Sequence, residues 1–90
     1  MEKNRYANWA EILKTLGHPI RLRILESLLD AEKCVSTIWA HLDLPQSTVS
    51  QHLSLLRSKG IVQHERSGAK VKYFVRDKRI KEIIKLIKSS

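Results

Sequence analysis

Apolar positions recur with a helical period over most of the chain. Tyr6, Trp9, Ile12, Leu13 and Leu16 form one stripe of a helix that stops at Gly17-His18-Pro19. Pro19 suits the first turn of a second helix, with Ile20, Ile24, Leu25 and Leu28 as its buried face, Leu22 and Leu29 broadening it and Asp30 closing it. Cys34-Val35-Ser36 interrupts the pattern, and Ser36 is the expected N-cap of a short helix carrying Ile38, Trp39 and Leu42. Asp43-Leu44-Pro45 forces a turn. A longer helix is expected over residues 46–59, with Val49, Leu53 and Leu56 on its inner face and Gly60 as a left-handed cap.

Beyond Gly60 the period shortens to two. Ile61 to Arg66 and Lys70 to Arg76 are rich in β-branched and aromatic residues, Val71, Tyr73 and Val75 alternate, and Ser67-Gly68-Ala69 supplies a turn. A last helix from about Asp77 carries Ile80, Ile83, Ile84 and Ile87 on one stripe, with lysines and arginines opposite. Two helices joined by a short turn and followed by a hairpin predict a mainly α fold with a β-hairpin wing, a winged helix-turn-helix, occupying residues 1–90 as one domain.

Composition narrows the function classes. At 42% hydrophobic and 29% charged the chain is neither low-complexity nor disordered in composition. No apolar run approaches the roughly 20 residues of a membrane span, and the start, Met1 to Tyr6, carries no apolar signal region, so a cytoplasmic protein without a membrane partner is expected. A single cysteine, Cys34, excludes an intramolecular disulfide and a multi-cysteine metal cluster. The net charge of +8 is unevenly spread. Residues 1–43 hold six basic and six acidic side chains, whereas residues 44–90 hold eleven and three, an asymmetry that points to a polyanion partner and to nucleic acid first.

The outer face of the 46–59 helix has the composition of a base-reading surface. Gln46, Ser47, Thr48, Ser50 and Gln51 lie on its first two turns without a charge among them, and glutamine and short hydroxyls suit the hydrogen-bonding edges of a major groove. His52, Arg57, Arg66, Lys70 and Lys72 are placed to meet phosphates from the same helix and from the hairpin. The stripes of Trp9, Ile12, Leu13 and Leu16 and of Ile80, Ile83, Ile84 and Ile87 exceed what one small core uses, which predicts a homodimer. The four histidines, His18, His41, His52 and His64, form no i, i+4 ligand pair. No nucleophile sits in an activating motif and no glycine loop cradles a phosphate, so no enzyme is expected. A second reading, a protein-interaction module for an acidic partner, is disfavoured by the uncharged Gln/Ser face, where such a partner would ask for Lys or Arg.

The segment Leu44-Pro45-Gln46-Ser47-Thr48-Val49-Ser50-Gln51-His52-Leu53, followed by Leu56-Arg57 and Gly60-Ile61-Val62, resembles the recognition-helix signature of the ArsR/SmtB family of bacterial winged-helix repressors. Leu16-Gly17-His18-Pro19-Ile20-Arg21-Leu22-Arg23-Ile24-Leu25 resembles the same family's approach to its second helix, and the similarity runs from about Ala10 to Leu86. The resemblance implies a homodimer paired through the first and last helices, repressing transcription from an imperfect inverted repeat in double-stranded DNA, with Gln46, Ser47, Ser50 and Gln51 at base- and phosphate-contacting positions. Metal-sensing members carry a Cys-Val-Cys type motif. Here Cys34-Val35-Ser36 keeps one thiol, with Thr37 at the acidic position, and the family's last-helix zinc site keeps only Asp77, so no metal and no cofactor are expected. Sensing through two cysteines is excluded by the count, except through a bond between subunits. Trp39 and Asp43 stand where the family usually has a small residue and a glycine.

Overall fold

A computed structural model describes residues 2–29 and 33–90. Among them the chain runs through α1 (Glu2–Leu16), α2 (Pro19–Ser27), β1 (Lys33–Cys34), α3 (Val35–Leu42), α4 (Gln46–Ser58), β2 (Gln63–Ser67), β3 (Lys70–Phe74) and α5 (Lys78–Lys88). This is a winged helix-turn-helix, as the sequence predicts. Its core joins every helix to the base of the wing. Leu16, Ile24, Leu25, Leu28, Ile38, Leu42, Val49, Leu53, Leu56, Ile61, Val62, Val75, Ile80 and Ile84 are all buried.

Local chemistry sets the boundaries. Pro19 opens α2, and His18 caps it by accepting the Ile20 amide on Nδ1 at 3.1 Å. The helix stops at Ser27, and the expected stop at Asp30 lies outside the described residues. Ser36 is not the N-cap of α3. Cys34 precedes the helix in an extended conformation and makes no side-chain cap bond, because Lys33 and Cys34 are held as a strand against Tyr73 and Lys72 and the helix begins directly after them. Two residues give no periodicity to read, and this strand was not expected.

Both helices of the helix-turn-helix end in the same way. After α3, the amides of Asp43 and Leu44 reach back to the carbonyls of Ala40 and Trp39; after α4, those of Gly60 and Ile61 reach back to Arg57 and Leu56. The motif needs a left-handed residue, supplied by Asp43 at φ 56° and Gly60 at φ 75°. Asp43-Leu44-Pro45 is then the whole connection between α3 and α4.

The same motif corrects the wing. Strand β2 begins at Gln63 rather than Ile61, because the Ile61 amide is used to close α4 and the side chains of Ile61 and Val62 are buried in the core. Strands β2 and β3 pair from Gln63↔Phe74 to Ser67↔Lys70 around a Gly68-Ala69 loop, with Gly68 at φ 64° as a two-residue hairpin requires. The sheet has three strands in the order β1-β3-β2.

Candidate nucleic-acid interface

Helix α4 is seated by Val49, Leu53 and Leu56, each fully buried. The seating turns Ser47, Gln51, Ser54 and Ser58 outward along one stripe, and Gln46 is exposed at the first turn. Thr48 and Ser50 flank the stripe half-buried. Ser54 extends the expected surface by a turn; its i+7 spacing from Ser47 and i+3 spacing from Gln51 was the signal that could have found it. No charged residue interrupts the stripe before Arg57, which is exposed in the last turn.

The wing supplies the cations. Arg66 and Lys70 are exposed on either side of the hairpin tip. Lys72 is half-buried in the central strand, paired in register with Glu65 on one side and Cys34 on the other, which sets it back from the rim. Gln63 fastens the base of the hairpin, its amide nitrogen donating to the Gly60 carbonyl at 3.0 Å and its carbonyl oxygen accepting the Arg76 amide at 3.2 Å. The Arg76 guanidinium lies 5.0 Å above the Phe74 ring.

His52 is placed differently from its neighbours. It is half-buried and turned to the junction of α1 and α2, where Arg21 Nε donates to its Nδ1 at 3.2 Å and its ring lies 4.5 Å from that of His18. Burial, the adjacent His18 and the Arg21 guanidinium hold its pKa below the usual histidine range. Distant in sequence, the two histidines are neighbours in the fold.

The expected dimer residues divide. Leu16, Ile80 and Ile84 are consumed by the core of one chain, and Trp9, Ile12 and Ile83 pack partly against it. Arg79, held by Asp77 through contacts of 3.0 and 3.2 Å, lies 4.8 Å over the Trp9 ring and ties the start of α5 to α1. Exposed apolar surface remains at Leu13 and Ile87, at 52% and 44%, and at Tyr6 and Leu86, at 61% and 71%, two residues outside the expected set. Cys34 is half-buried on β1, and the described residues bring no three metal-binding side chains together. No described helix is long and apolar enough to cross a membrane.

Residues 18–64 match the model of the arsR family of bacterial regulatory proteins. The chain belongs to this family. It is 44% identical to an uncharacterized HTH-type transcriptional regulator of Methanocaldococcus jannaschii over 97% of both chains. Against the transcriptional repressor PagR of Bacillus anthracis it is 42% identical over 87% of this chain and 79% of that one, and the PagR crystal structure superposes with a TM-score of 0.88 at 38% identity, covering 94% of this chain and 98% of that one. A homodimeric winged helix-turn-helix DNA-binding domain from Mycobacterium bovis, from a possible ArsR-family regulator, matches with a TM-score of 0.86 at 25% identity over 98% of this chain and 82% of that one. This ArsR-family chain is thus a DNA-binding transcriptional regulator, and the two segments that carry the resemblance are the α1–α2 junction and α4.

Proposed function

We propose that the protein is a cytoplasmic homodimeric repressor whose two α4 helices read an imperfect inverted repeat while each wing grips the flanking backbone. The uncharged stripe on α4 carries the reading. On a chain of net charge +8, a helix face of Ser and Gln between cationic flanks matches a groove floor of hydrogen-bonding edges walled by phosphates. Gln46, Ser47, Ser50 and Gln51, with Ser54 behind them, face the bases; Arg57, Arg66 and Lys70 meet phosphates. Repression is supported by the similarity to PagR, and dimerisation by the homodimeric relative and by the apolar surface at Leu13, Leu86 and Ile87. A two-fold dimer asks for a two-fold site. The reading assigns no reaction to the chain.

The test is fluorescence anisotropy on duplex DNA from upstream of its own gene, at rising salt. A dimer neutralising about 6–10 phosphates loses on the order of 10³–10⁵ in affinity between about 50 and 200 mM salt. An affinity indifferent to salt overturns the proposal.

A further inference from the structure

Past the last turn of α4 Lys59 is tied to Glu11 of α1 at 3.3 Å, and the body of the helix is held to the rest of the fold by buried apolar side chains. Among the described residues one side-chain hydrogen bond joins it to another element, that from Arg21 Nε to His52 Nδ1 at 3.2 Å. Arg21 is itself anchored. Its Nη1 donates at 3.0 Å to the carbonyl of Thr15, one of the last-turn carbonyls of α1 that the helix leaves without an internal partner. A planar guanidinium making two such bonds is a directional strut. His52 follows Gln51 directly, so the strut meets α4 beside the outward stripe.

Both imidazoles at this junction are used as acceptors. His52 accepts from Arg21, and His18 accepts the Ile20 amide that it caps, so each Nδ1 must be unprotonated. The charged or titratable groups that act on His52 are His18 from the α1–α2 junction and Arg21 from α2. Neither is a carboxylate. A proton added to Nδ1 removes the acceptor and sets an imidazolium against a guanidinium.

Resting on the reading of α4 as the DNA-facing helix, we propose that Arg21 is a positioning residue for sequence readout, acting through neutral His52, and that protonating His52 releases the strut and lowers discrimination between operator and other DNA. His52 is then not a phosphate contact. It serves specificity from behind the interface.

The probes are a duplex of about 30 base pairs selected from a random-sequence pool by the wild-type protein at pH 7.5 and a scrambled duplex, both at constant ionic strength. The wild-type ratio of specific to scrambled affinity should fall as the pH drops from about 7.5 to about 5.5, by up to about tenfold, the scale of one lost hydrogen bond. The variant His52→Asn keeps an acceptor oxygen at the Nδ1 position without titrating in this range, and its ratio should stay high and level. Arg21→Ala should give a low, pH-independent ratio while its circular dichroism remains that of the folded protein. An operator affinity that rises on acidification and loses the rise in His52→Asn would show a direct phosphate contact and overturn the proposal, as would an Arg21→Ala ratio equal to wild type. Imidazole ¹H–¹⁵N spectra test the strut without DNA. The Nε2–H tautomer in both rings and amide shifts over residues 46–52 that follow His52 titration uphold it, and an Nδ1–H tautomer at His52 refutes it; a DNA ratio of one with the expected spectra counts against the DNA reading alone.

Discussion

Asp43 holds a left-handed conformation that glycine reaches freely and that costs most L-residues roughly 1–2 kcal/mol, less for Asp. Its counterpart Gly60 has open space around it, with no atom within 4 Å of an added Cβ. The two positions make opposite predictions. Asp43→Gly should raise the unfolding free energy by about 0.5–1 kcal/mol, and Gly60→Ala should lower it by about 1 kcal/mol through backbone conformation alone, both read by chemical denaturation. That Asp43 would take this conformation was legible in the sequence, since a short polar side chain tolerates it where the family usually has glycine. The orientation of His52 was not. A polar residue beside Gln51 reads as one more groove residue until the fold brings Arg21, thirty-one positions away, against it. The depressed pKa of His52 also has a stability consequence: the unfolded chain takes up a proton near the ordinary value of 6.5 before the folded one does. The His52 contribution to stability is therefore full above that value and is lost as the pH falls from there through the lower pKa of the folded state. Calorimetry should show a lower melting temperature at about pH 5.5 than at about pH 7.5, with a smaller difference in His52→Asn; the opposite slope would contradict the burial of a neutral ring.

On the proposed reading α4 reads the bases and the wing grips the backbone, and substitutions in each should separate. Gln51→Ala, on the outward stripe, should cost roughly 1–3 kcal/mol on the specific site and little on scrambled DNA, whereas Lys70→Ala, at the hairpin tip, should weaken both about equally and flatten the salt slope by about one counterion. Competition binding with the two duplexes checks this, and identical behaviour of the two variants would reassign the faces. The period of Val49, Leu53 and Leu56 made α4 legible, and the alternation of Val71, Tyr73 and Val75 did the same for β3. Ile61 and Val62 misled because a buried β-branched pair reads alike whether it pairs in a strand or plugs the core after a helix. The two-residue β1 lies below the length at which any period exists.

At the scale of the whole molecule, sequence periodicity gave the apolar faces of α1 and α5 but not their depth. Buried and exposed apolar residues share one stripe, so Ile84, at 2% exposed, and Ile87, at 44%, look alike along the chain. The distinction decides the experiment. Leu86→Lys with Ile87→Lys should give folded monomers in sedimentation, whereas Ile84→Lys should unfold the chain by burying a charge. Persistence of the dimer in the exposed pair would place the interface elsewhere. In the proposed two-fold dimer such a patch faces its own copy, and association closes at two. The wing offers another kind of contact: with β3 in the middle of the sheet, the outer side of β2 presents a row of unpaired backbone amides and carbonyls. A strand added there would expose the same edge again, and growth would have no end. Gln63, His64, Glu65, Arg66 and Ser67 put no apolar side chain on that strand and two opposite charges at its centre. A sequence that leaves apolar surface on its helices thus withholds it from the β2 edge, where stacking would yield fibrils instead of pairs.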